Sequence, residues 1–174
     1  MMMYWLARRA FVASLAFFFV TGPAIAQSPI AVSAVLVPAQ LSAAKTIFLS
    51  NAGLDAASMI AFSLWGKPDT PYVQFSTAVK SWGHYQTATT PVDSDLVFEF
   101  RIESALRNAE PITTYSSFLN VSILDAKTHF VLWSIKTPLE VTRKFDQDVN
   151  VSVMHLIDIL KGVVAAAAIS NTEK

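Results

Sequence analysis

The sequence predicts an α+β fold, a two-layer sandwich with two helices on one face of a mixed, mostly antiparallel sheet of about five strands. Three observations point there. In residues 95–104, "DLVFEFRIES", Leu96, Phe98, Phe100 and Ile102 alternate with Val97, Glu99, Arg101 and Glu103, as in a strand with one face that can meet water. Two stretches, 72–82 and 149–164, carry apolar residues at three- and four-residue spacing, the period of a half-buried helix. The remaining apolar runs fall between turn-forming residues, giving the order β-α-β-β-β-β-α.

The first 26 residues read as a signal peptide. Arg8 and Arg9 precede the apolar run Phe11 to Val20, Gly22 and Pro23 break it, and Ala24-Ile25-Ala26 supplies a small-residue cleavage site. The run is too short to cross a bilayer, so no permanent span is expected from it. The chain has no cysteine. A lipid anchor on cysteine and a disulfide are therefore both excluded, and a packed core has to supply the stability. Removing Arg8 and Arg9 from the 13 basic residues leaves 11 against 13 acidic ones, a formal charge of −2. With no Lys/Arg cluster to track phosphates, nucleic acid is not an expected partner.

Residues 27–44, containing "IAVSAVLV" and Pro38, read as an N-terminal arm leading into a single α/β domain over 45–168. "KTIFLSN" (45–51) is the first strand, covered on both faces. The first helix has Pro71 at its opening, where a missing N–H costs nothing, and Gly83 as its stop. Asp69 or Thr70 is the candidate cap, and Tyr72, Phe75, Val79 and Trp82 form the buried stripe. Strand candidates follow at 84–89, 95–104, 117–125 and 129–140, with 104–117 as a long hairpin connection. The last helix starts near Asp146 and turns Val149, Val153, Leu156, Ile157, Leu160 and Val164 inward. Residues 169–174 are expected to be a disordered tail.

The stretch "SILDAKTHFVLW" (122–133) puts Asp125, Lys127, Thr128 and His129 between two apolar runs. Alternation on both sides makes it a hairpin, so Asp125 and Thr128 are expected to hold turn N–H groups rather than act on a substrate. His84, His129 and His155 lack the short spacing of zinc ligands and have no cysteine to join them, so no metal is expected. His155 and Asp158, three apart on the last helix, read as a surface contact. Asp93 and Asp95 in "PVDSD" read as a solvated turn. No G-x-S-x-G elbow and no phosphate-cradling glycine loop occurs, so no catalytic residue and no cofactor is assigned.

Taken together, "PAQLSAAKTIFLSN" (38–51), "QFSTAVKSWGHYQTATTPVDSDLVFEF" (74–100) and "LNVSILDAKTHFVLWSI" (119–135) resemble a group of exported bacterial proteins. More distantly, the chain is similar to the small periplasmic α/β domains of outer-membrane lipoproteins, among them a penicillin-binding-protein activator and the curli secretion channel. The resemblance implies a fold, export to the periplasm and action through protein contacts. Those relatives are tethered by a lipidated cysteine, which this chain lacks.

The segment 54–68, "LDAASMIAFSLWGKP", is more apolar than a connection should be. Its Met59, Ile60, Phe62, Leu64 and Trp65, with Tyr115 of the hairpin connection, are the candidate partner-binding residues. The expected function is that of an exported, non-enzymatic protein-interaction module of the cell envelope, with a protein or envelope component as partner. The alternative is a carrier of a small apolar ligand, with residues 54–68 as its lid.

Overall fold

A computed structural model describes residues 37–62, 68–109, 112–140, 142 and 144–172 of the chain. The chain divides into two units, Met1–Ala34 and Val35–Lys174, and everything described here belongs to the second. The expected signal peptide, the arm up to residue 36, Leu64 and Trp65 lie outside the described residues.

The elements are α1 (Gln40–Ala43), β1 (Thr46–Leu54), α2 (Ala56–Phe62), α3 (Thr70–Trp82), β2 (Gln86–Thr87), a 3₁₀ turn at Pro91–Asp93, β3 (Leu96–Ala109), β4 (Ile112–Asp125), β5 (Val131–Leu139) and α4 (Phe145–Thr172). The five strands form one mixed sheet in the order β2-β1-β3-β4-β5. β1 runs parallel to both β2 and β3, while β3, β4 and β5 form an antiparallel meander. The α+β fold with a five-stranded mixed sheet is the one the sequence predicts.

Strand alternation decides what each face of the sheet meets. On β3, Leu96, Phe98, Phe100 and Ile102 are buried, as are Leu119, Val121 and Ile123 on β4 and Ile135 on β5. These side chains meet the helices. Phe75 of α3 stacks on Phe100 with ring centroids 4.9 Å apart. α4 buries Val149, Val153, Leu156, Ile157, Leu160, Val164 and Ala167 along one stripe. At roughly 1.5–3 kcal/mol per large apolar side chain, that stripe dominates the helix–sheet contact. By length and composition α4 could also cross a membrane. The buried stripe accounts for part of its apolar character.

On the opposite face, Glu103 accepts hydrogen bonds from Asn120 (2.9 Å) and Lys136 (2.8 Å), and Ser134 donates to Asn120 (3.0 Å). This is the wet face that the alternation in 95–104 predicts.

Five features depart from the sequence reading. The arm holds a helical turn, α1, whose Leu41 is fully buried and whose backbone carbonyl accepts the Tyr85 hydroxyl at 2.5 Å. Asp69 stands at the N-cap of α3 but makes no capping bond with its side chain; Gly83 does end the helix, at φ 67°. The strand placed at 84–89 shortens to Gln86–Thr87. α4 runs on to Thr172, through most of the stretch assigned to a tail. Finally, β3 and β4 pair without a break from Leu96↔Asp125 to Ala109↔Ile112, so 104–117 is paired strand and not a loop.

Candidate partner-binding surface

β1 ends at Leu54 with Asp55, and Asp55 starts the next helix. Its Oδ1 accepts the Ser58 N–H at 2.6 Å, the capping bond that opens α2, and its Oδ2 accepts the Ser104 N–H at 3.1 Å. Burial pushes the Asp55 carboxyl up, but the bonds from Ser58 and Ser104 outweigh it and hold the group below its usual range. The fully buried Ser58 sits with its Oγ 2.9 Å from Ser104 Oγ and 3.2 Å from the Ile102 carbonyl oxygen, and Ser104 Oγ lies 2.8 Å from Ser117 Oγ. One helix is thereby fastened to two strands.

One turn on from Ser58, Phe62 is 4% exposed and meets Phe145 edge-on at 5.5 Å. Phe62 is therefore a core residue and leaves the set of surface candidates. Met59 and Ile60, between these two anchors, are 58% and 62% exposed. Ser58 and Phe62, four residues apart on α2, turn inward, which turns Met59 and Ile60 outward.

Tyr115 belongs to the same end of the sheet. β5 stops at Leu139, opposite Ser117, and β1 stops at Leu54, opposite Ile102. Beyond those positions Ala105–Ala109 and Ile112–Ser116 continue as a two-stranded ribbon. Leu106 and Tyr115 face each other in its register, two residues past the Ser104–Ser117 pair that holds α2. Both are exposed, and strand alternation puts them on the helix-bearing side. Met59 and Ile60 on α2 thus stand at the same end of the sheet as Leu106 and Tyr115 on the ribbon. The ribbon was hidden from sequence reasoning because Glu110-Pro111 looks like loop and the threonine pairs opposite carry no apolar alternation.

The polar sequence motifs have local duties. Asp125 Oδ1 accepts the N–H groups of Lys127 (3.0 Å) and Thr128 (2.7 Å) and the Thr128 hydroxyl (2.9 Å). Those bonds, Thr128 first, hold its carboxyl below the usual range. His129 follows in the left-handed region at φ 59°, exposed at the tip. The hairpin turn is what the structure contains at this point. Asp95 accepts the Lys45 N–H (2.8 Å) and Thr46 N–H (3.0 Å), joining β1 to the start of β3, and Asp93 takes the Thr90 hydroxyl at 2.6 Å. His84 stacks on Trp82 at 4.9 Å, and Asp158 pairs with Lys161 at 3.6 Å. Among the described residues no group of three His, Asp or Glu side chains could hold a metal ion.

A second concavity lies between α3 and α4, a groove of about 420 Å³ lined in part by Val73, Ala78, Trp82, Met154 and Ile157. Gln74 lies along it, its Nε2 donating to the Asp146 carbonyl at 3.1 Å and its Oε1 buried without a hydrogen-bond partner.

No family model and no curated protein matches the chain. Among solved structures it is similar to a PelC variant dodecamer from Paraburkholderia phytofirmans, at 9% identity and a TM-score of 0.44 over 67% of this chain and 87% of that one. It is also similar to lipoprotein GNA1162 from Neisseria meningitidis, at 11% identity and a TM-score of 0.35 over 66% and 98% of the two chains. A hemagglutinin homolog from Helicobacter pylori aligns at 8% identity and a TM-score of 0.39 over 81% and 95%. These are distant bacterial likenesses, and nothing about function follows from them.

Proposed function

We propose that this chain is an exported, non-enzymatic protein-interaction module of the bacterial cell envelope, and that its contact surface is the end built by α2 and the β3–β4 ribbon. The observation that carries the reading is the presence at that end of Met59, Ile60, Leu106 and Tyr115, four exposed apolar side chains from three elements. Polar anchors under α2, not these side chains, hold the end together, which leaves the side chains available for a partner. Export rests on the arginine-led apolar leader of residues 1–26.

Photo-crosslinking in cells tests this. A photoreactive residue at Met59 or at Tyr115 should capture the same second protein, and one at Val92, 91% exposed on the 3₁₀ turn, should not. Absence of any adduct at both sites, or the same adduct from all three, would overturn the surface. A self-adduct alone would replace it with self-association.

The groove between α3 and α4 favours a second reading, a carrier of a small apolar ligand. Its volume lies within the range of ligand pockets, and the unpaired Gln74 Oε1 offers a hydrogen-bond acceptor to a ligand donor. None of the described residues of 54–68 lines this groove, so α2 is not its lid. A co-purified small molecule in native mass spectra, lost on Ala78→Trp, is the result that reading requires.

A further inference from the structure

The exposed strand edges of this sheet are guarded in different ways, and one of them has no guard among the described residues. β2 is only two residues long. The outer edge of β5 has a register break between Ile123 and Leu124 of its partner, then Lys136 and Pro138. On β3, the edge past Ile102 is closed by α2, with Asp55 on the Ser104 N–H, and the ribbon beyond carries Arg107. Short strands, bulges, lysine, proline and covering elements are the devices that keep an edge from pairing with another chain.

Among the described residues, the overhang of β4 has none of them. Residues 112–116, "ITTYS", hold no charge and no proline, are strand-forming types, and pair with β3 in unbroken register. Their other edge is past the end of β5, and among the described residues no strand pairs with it. Five residues give about 17 Å of open backbone edge. A two-stranded ribbon is at best marginal in water without a further strand, so the overhang gains most from a third neighbour.

We infer that a second copy of this chain supplies that neighbour, β4 pairing antiparallel with β4 across a two-fold axis at Thr114. A two-fold contact is made by one patch on both partners, so an unguarded edge is its own complement. The register places Ile112 opposite residue 116 of the second copy and Thr114 opposite itself. The result is a four-stranded ribbon in which the two Leu106–Tyr115 pairs share one surface. This deepens the binding reading of the same end of the molecule and rests on that end being exposed, but it requires no second protein.

The test uses the purified chain alone, whose lack of cysteine makes an introduced one unique. Directly opposed residues in an antiparallel pair have Cα atoms about 4.5–5.5 Å apart, within disulfide reach. Under mild oxidation Thr114→Cys should convert mostly to a disulfide-linked dimer, and Ser134→Cys on β5 should stay monomeric. Sedimentation from micromolar to millimolar concentration should show a reversible dimer for the wild type. Thr114→Glu should lose it: the new carboxylate stands opposite Arg107 within its own ribbon but opposite its own copy across the axis. Circular dichroism checks that each variant keeps its fold. A wild type that stays monomeric throughout, a Thr114→Glu dimer, or equal linking by Ser134→Cys would overturn the inference. None of these outcomes depends on whether a second protein is captured at Met59.

Discussion

At the residue scale, α2 separates two roles that look identical in sequence. Phe62 and Met59 are both apolar residues of one apolar segment, yet one is in the core and the other in solvent. Their responses to truncation should differ accordingly. Phe62→Ala leaves a cavity against Phe145 and is expected to cost about 3–5 kcal/mol, while Met59→Ser should stay within about 0.5 kcal/mol of wild type. Urea unfolding of the two variants, read at constant slope, checks this. Composition marked the segment 54–68 as unusual, but which side chain goes in depends on where Ser58 is held, and its contacts with Ile102 and Ser104 lie more than forty residues away.

At the scale of elements, carboxylates do the joining. Asp55 caps α2 and holds β3, Asp95 joins β1 to β3, Glu103 spans β3 to β4 and β5, and Asp125 closes the β4–β5 turn. All four are held below their usual values of 3.8 for the aspartates and 4.5 for the glutamate. The unfolded chain therefore binds more protons than the folded one just below those values, so stability rises with pH there. The contribution is complete above about pH 5 and disappears as pH falls through the lower folded-state values. The urea midpoint should accordingly be flat near neutrality and drop below about pH 4. Asp55→Ala should cost about 0.5–2 kcal/mol at pH 7 through loss of the cap, and should make the acid drop shallower.

The elements most legible in sequence were those whose period is set by a single flat neighbour. The strand 96–102 and the α4 stripe were readable because every second, or every third and fourth, residue meets the same core. The α1 turn and the ribbon were not. α1 is held by a long-range hydrogen bond from Tyr85 to the Leu41 carbonyl, and the ribbon has no core beneath it to impose alternation.

At the scale of the whole molecule, the helices take one face of the sheet, a polar network takes much of the other, and α2 and the ribbon carry exposed apolar surface at one end. That asymmetry was foreseeable only in part, since Met59, Ile60 and Tyr115 could be nominated one by one while their meeting depends on the β3–β4 register. Among the carboxylates, Asp125 was readable from spacing because its turn bonds are local, whereas Asp55, Asp95 and Glu103 bond across strands far apart in sequence. Amide hydrogen exchange on the purified chain, dilute enough to be monomeric, alone and with solubilised envelope extract, tests the account most directly. It predicts new protection in 56–62 and 105–116 with 131–139 unchanged. Protection confined to the groove lined by Val73 and Met154, or none in either ribbon or α2, would contradict it.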